Sequence, residues 1–193
     1  MTLLVKFLLT LVAGTLLGLG LTYYVVRAGV SFDETRAGPW IRWPRAGSMD
    51  IDPYAHARLA RTAQLPLGTA EGLNFFAWRD SAGGPLSAAC DYVVKGPVPP
   101  TRFWTLTLYS TTGALADNPA KRYGFTSAEI LRSSANDNIE IAVSRHARAG
   151  NWLPIGNVPA FALVLRLYDT LFDFGMAKVE AAALPQITKV HCQ

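Results

Sequence analysis

The chain has 193 residues, half of them hydrophobic and 17% charged, with a formal net charge of +4. That length supports one membrane segment plus one domain able to bury a core, and argues against a second independent domain. Beyond residue 26, seventeen basic residues face fourteen acidic ones without a basic stripe interleaved with stacking aromatics, which leaves nucleic-acid binding unsupported.

Residues 7–26 read FLLTLVAGTLLGLGLTYYVV, uncharged and flanked by Lys6 and Arg27. About 20 residues rising 1.5 Å each cross the roughly 30 Å hydrocarbon core as a helix. Tyr23 and Tyr24 fall near one end, where an aromatic belt is expected. A cleaved signal peptide is the rival reading, but its apolar region runs about 7 to 15 residues and ends in a small-x-small site. Here the run is longer and Val26-Arg27-Ala28 has arginine in its middle, so residues 1–27 are read as an uncleaved transmembrane anchor. Thr10, Gly14, Gly18 and Thr22 recur every fourth residue, a small-residue face through which membrane helices pack, although glycine is common in such helices for other reasons too. Charge alone does not orient the span, because long domains translocate largely regardless of it. Cys90 and Cys192, the only cysteines, suit a disulfide in an oxidising compartment; two unpaired buried thiols are the alternative.

Residues 28–51 read as a connector broken at Gly38-Pro39, Trp43-Pro44 and Gly47. Its Trp40, Arg42, Trp43 and Arg45 form a mixture suited to a membrane interface, rings at headgroup level and guanidiniums on phosphates; alternatively both tryptophans pack onto the domain. Asp52 then offers an N-cap and Pro53 a first helical position, predicting a short amphipathic helix over 53–64 that ends at Leu65-Pro66-Leu67-Gly68. From Glu71 onwards, short apolar runs alternate with turn residues, which predicts an all-β antiparallel sandwich or barrel over 52–193. In RFWTLTLYS, Trp104, Leu106 and Leu108 share one face and Thr105, Thr107 and Tyr109 the other; Ile139, Ile141 and Val143 alternate similarly. Between those strands, TSAEILRSSAND predicts a short helix capped by Thr126 or Ser127, then a turn at Asn136 to Asn138.

The blocks DPYAHARLARTAQLPLGTAEGLNFFAWRDSAGGPLSAACDYVVKG, PPTRFWTLTLYSTTGALADNPAKRYGFTS and GNWLPIGNVPAFALVLRLYD resemble, in order and spacing, the bacterial family called domain of unknown function 1214, over residues 52 to the C-terminus. The resemblance implies a jelly-roll-like β-sandwich, often found C-terminal to a companion domain of unknown function 1254. That companion has no counterpart in this sequence, where the anchor stands in its place. The family has no established activity, so the resemblance implies no catalytic residue.

The residues themselves show no G-x-S-x-G elbow, P-loop or H-E-x-x-H. His56, His146 and His191 stand far apart without metal-ligand spacing, so neither a metal nor a cofactor is expected. Asp169 and Asp173 fall four apart after a strand, whereas paired glycosidase acids come from separate elements facing a cleft. Asp117-Asn118-Pro119 has turn chemistry, its acid read as ordering backbone. In FALVLRLYD, Phe161, Leu163, Leu165 and Leu167 lie on one face and Ala162, Val164, Arg166 and Tyr168 on the other. Arg166 therefore either pairs structurally or joins Tyr168, Trp152, Asn151 and Arg122 in a ligand or partner surface. For Trp152 the alternative role is a plug at the sandwich edge, and for Asn151 the satisfaction of loop amides. The resulting expectation is a single-pass protein of the bacterial inner membrane with its C-terminal domain in the periplasm. It acts as a binding or accessory module that contacts membrane lipid and other transmembrane proteins. An envelope enzyme acting on a glycan or other polymer, and a purely structural spacer, are the alternatives.

Overall fold

Alternation of apolar and polar side chains in strands such as 101–110 and 139–144 buries one face of each, and two sheets stack to satisfy that demand. A computed structural model of the chain describes residues 2–28, 34–61, 66–68, 71–132, 138–170 and 180–192. After a 26-residue helix α1 (Leu3–Ala28) come β1 (Thr35–Ala37), β2 (Trp40–Arg42) and helix α2 (Pro53–Arg61). The strands β3 (Gly72–Ala77), β4 (Cys90–Gly96), β5 (Thr101–Ser110), β6 (Gly124–Thr126), β7 (Ile139–Ser144), β8 (Trp152–Pro154), β9 (Phe161–Thr170) and β10 (Gln186–Cys192) follow. The larger sheet runs β1-β2-β3-β9-β5-β6 and the smaller β10-β4-β7-β8; all pairings are antiparallel except β7 with β8.

The main core lies between the sheets. Phe161, Leu163, Leu165 and Leu167 of β9 meet Trp104, Leu106 and Leu108 of β5, Leu73 and Phe75 of β3, and Tyr92, Val94, Ile139, Ile141 and Val143 of the smaller sheet. Burying side chains of this size contributes about 1.5–3 kcal/mol each. A second, smaller core forms on the outer face of the larger sheet. There Trp43 and Ala55 cover Phe76 and Val164, with Ile51, Trp78 and Tyr109 at the margin. The Asp52 carboxylate caps α2 by accepting from the Ala55 amide at 2.9 Å, and Pro53 stands first in the helix, as the sequence indicates.

Residues 35–42 are not a connector: they add a hairpin to the larger sheet, turning at Gly38, whose φ of +62° suits glycine. Trp40 is fully buried and donates its indole N–H to the Pro185 carbonyl at 2.7 Å, closing one edge of the sandwich. The expected helix after Thr126 is a single turn. Glu129 accepts from the Thr126 amide and hydroxyl as a capping box would, but Ile130 enters the core and the Leu131 amide is captured by Asn151, so the turn does not propagate. Asp173, Asn136 and the 62–64 end of the predicted α2 lie outside the described residues.

The cysteines form a disulfide, Cys90–Cys192, joining directly facing residues of β4 and β10. α1 is apolar and long enough to cross a membrane, and none of its apolar window is buried against the domain. Its Thr10 hydroxyl donates back to the Lys6 carbonyl, and a Cβ added at Gly14 or Gly18 would meet nothing within 4 Å. The small-residue face that includes Thr22 is therefore open.

Candidate functional site

The outward faces of β4 and β7 carry Val93 opposite Ala142 and Lys95 opposite Glu140. Two small apolar side chains make a low floor, and two loops rise beside it. One is the crossover from β7 to its parallel neighbour β8, which must arch over the sheet because parallel strands cannot join by a tight turn. The other is the chain after Glu129. Asn151 ties the two loops together: its Oδ1 accepts from the Leu131 amide at 2.8 Å, and its Nδ2 donates to the Leu131 carbonyl at 2.8 Å and the Glu140 carbonyl at 2.9 Å. Its backbone carbonyl accepts from the Ala142 amide, which sets the height of the wall above the floor. The result is a cleft of about 410 Å3 whose walls include Leu131, Arg132, Gly150 and Asn151.

Ion pairs frame this cleft. Lys95 meets Glu140 at 2.7 Å, and Arg148 of the crossover meets Asp91 of β4 at 2.5 Å. Exposed pairs contribute about 0–1 kcal/mol, so Lys95 and Glu140 can exchange each other for a ligand's polar groups at little cost. Among the described residues the lining holds one carboxylate, Glu140, and not the two facing acids, about 5 to 9 Å apart, that glycoside hydrolysis uses. Its lining sets the small apolar Val93, Ala142 and Ala149 among the polar Lys95, Asn138, Glu140 and Asn151.

The five residues expected to share one surface occupy three places. Asn151 belongs to the cleft, where it is buried and serves loop backbone. Arg122 and Trp152 close the sandwich edge opposite Trp40: Arg122 donates to the Trp152 carbonyl at 3.2 Å and lies over the Phe125 ring, and the Trp152 indole donates to the Ser144 carbonyl at 3.1 Å. Arg166 and Tyr168 stand on the outer face of the other sheet. Arg166 donates to the Tyr109 hydroxyl at 3.1 Å and sits over that ring, while Tyr168 packs against Phe103 at 5.7 Å.

Three of the four membrane-interface candidates are corrected by burial. Trp40, Arg42 and Trp43 retain 0%, 5% and 4% exposure, the last with its ring against Phe76 and Trp78, because the segment that carries them is part of the domain. Arg45 alone of the four is exposed. Asp169 faces Arg102 at 3.5 Å in an exposed pair. At Asp117 the turn is ordered by more than the acid. Asn118 orders the backbone through Ala116 and Arg122, while Asp117 accepts from Lys121 at 2.8 Å, an interaction that lowers its pKa and raises that of Lys121. His56, His146 and His191 are exposed, and among the described residues no three His, Cys, Asp or Glu converge on a metal-sized centre. Val93, Lys95, Glu140 and Ala142, which line the cleft, have no sequence signal beyond strand alternation.

Fold and cleft together define a two-sheet β-sandwich with a cleft on its smaller sheet, preceded by an apolar helix. The chain belongs to the family described as protein of unknown function (DUF1214), whose profile matches residues 71–172, just over half its length. The hairpin β1-β2, α2 and β10 with Cys192 lie outside that match. The VPA0106 protein of Vibrio parahaemolyticus has a similar fold, with a TM-score of 0.62 and 18% identity over 92% of this chain and 44% of that one. A putative uncharacterized protein from Burkholderia cenocepacia aligns with a TM-score of 0.44 and 20% identity, over 63% of this chain and 30% of that one. This chain thus spans less than half the length of either solved structure. Among curated proteins none matches it.

Proposed function

We propose that this protein is a membrane-anchored binding module of the bacterial cell envelope. α1 crosses the inner membrane once, the sandwich stands in the periplasm, and the cleft of the smaller sheet engages a ligand or a neighbouring subunit of a membrane assembly. The observation that carries the reading is the placement of cleft and anchor on opposite faces. α2 packs on the outer face of the larger sheet and its Arg61 reaches the Val26 carbonyl in the last turn of α1 at 3.4 Å, whereas the cleft opens on the outer face of the smaller sheet. A cleft so placed looks away from the bilayer, toward soluble ligands and partners. The disulfide supports the oxidising side of the membrane, since such bonds persist there and are rare in the cytoplasm. The open face of Thr10, Gly14, Gly18 and Thr22 supports lateral association of the anchor with other membrane helices.

A photocrosslinking amino acid at Leu131, on the cleft wall, tests the binding role in native membranes, with the same label at the fully exposed Met49 as control. The expected result is a discrete adduct from Leu131, absent from Met49 and abolished when Ala142→Trp fills the floor. An adduct that persists with the floor filled, or none at all, overturns the cleft as the binding site.

A further inference from the structure

The outer face of the larger sheet is only partly covered. Across β3, β9 and β5 its rows read Gly72, Tyr168, Phe103; then Asn74, Arg166, Thr105; then Phe76, Val164, Thr107. Trp43 and Ala55 cover Phe76 and Val164, while Thr105, Thr107, Arg166 and Tyr168 stay half-buried and Phe103 exposed. On that uncovered strip Arg166 is the cation. It leans along β9 over the Tyr109 ring and spends one hydrogen bond on the Tyr109 hydroxyl. Among the described residues no carboxylate meets it. A half-buried guanidinium with donors to spare fits the oxygens of an anion, phosphate above all.

This is also the face from which the anchor departs. α2 sits on it through Ala55, and Arg61 at the end of α2 touches the last turn of α1, where Arg27 donates to the Tyr23 hydroxyl. Tyr168, which packs against the exposed Phe103 at the end of the strip, is a ring type that favours the boundary between headgroup and hydrocarbon, and Phe103 adds apolar surface beside it. We propose that this face rests on the bilayer, with the Arg166 guanidinium bound to the phosphate of an anionic phospholipid and Phe103 and Tyr168 at the interface. The proposal rests on the reading that α1 spans the membrane. It gives the sandwich a fixed orientation instead of a free tether.

The test uses the full-length protein in nanodiscs of phosphatidylcholine with and without phosphatidylglycerol. Spin labels are placed at Thr107→Cys on the proposed face and at Leu131→Cys on the opposite one. With phosphatidylglycerol present, the label at position 107 should be shielded from a water-soluble relaxant while that at 131 stays accessible. Arg166→Gln should lower the phosphatidylglycerol retained by the protein about fivefold, the effect of one basic side chain at an anionic surface. Thr107→Glu, which supplies Arg166 with a carboxylate from within the fold, should do the same without loss of thermal stability. Equal accessibility at both labels, or unchanged lipid retention in both variants, overturns the proposal. Release of the shielding by added inorganic phosphate overturns the lipid as its source. Failure of the anchor reading shows separately, as protein that does not float with liposomes.

Discussion

Asn151 uses its whole side-chain amide on Leu131 and Glu140, bridging two loops that have no other reason to meet. Replacing it with alanine leaves the Leu131 amide and the Leu131 and Glu140 carbonyls, all in part-buried bonds, without that partner, at a cost of about 1–2 kcal/mol. Chemical denaturation should read that loss, and a change below 0.5 kcal/mol, roughly the scale of an ordinary surface substitution, would show that other contacts hold the cleft wall. Arg166 differs. Its partner is a neutral hydroxyl and not a buried acid, so Arg166→Leu should shift stability by less than about 1 kcal/mol. For Asp117 the pH dependence has a definite sign. Lys121 holds the carboxyl below the ordinary aspartate value of 3.8, so the pair's contribution is present at neutral pH and lost as pH falls through that lowered value. Carbon-detected titration should place the Asp117 midpoint below 3.8, and Lys121→Met should bring it back toward that value.

At the scale of elements, β10 depends on its staple. Of its seven residues only Ile187 is buried, and the strand is irregular between Lys189 and His191. That bulge and the lysine protect an open sheet edge from pairing with another chain, but they also weaken the strand's hold on β4. The disulfide closes a loop spanning 102 positions, worth about 4.7 kcal/mol in the chain-entropy account. Cys192→Ser should cost about that much, and hydrogen exchange should show the 188–192 amides opening while β4 and β7 stay protected. The β1-β2 hairpin is an integral element for the opposite reason, since its anchor is a fully buried indole. Trp40→Ala should cost about 3–5 kcal/mol, a loss that a detachable connector would not produce.

For the whole molecule, the sandwich was legible wherever one residue type dictated one face. The alternation in 101–110, 139–144 and 161–170 names the core-facing side chains of β5, β7 and β9, and the uncharged run names α1. The hairpin was hidden because Gly38-Pro39 reads as a break, although the same pair makes the turn that brings Trp40 back to the sheet. Tryptophans beside arginines fit a lipid surface and a core equally well by composition; only the position of Pro185 decides for Trp40. Of the cleft only Asn151 was legible. Val93 and Ala142 carry no chemical signal alone, and the concavity exists only once the β7–β8 crossover and the Leu131 wall are set on either side of them. Arg166 was correctly set apart by its face, but its neighbours proved to be Tyr109 and Phe103's strand and not Trp152.

All of these scales meet in the proposed arrangement, an apolar helix in lipid carrying a disulfide-closed sandwich on the oxidising side. Its most direct measurement is thiol alkylation of unreduced whole cells, read by mass on the protein recovered from washed membranes. The expected result is a membrane-bound chain unmodified before reduction and doubly modified after it, at Cys90 and Cys192. A chain alkylated at both positions without reduction, or one found trimmed and soluble, would contradict the account.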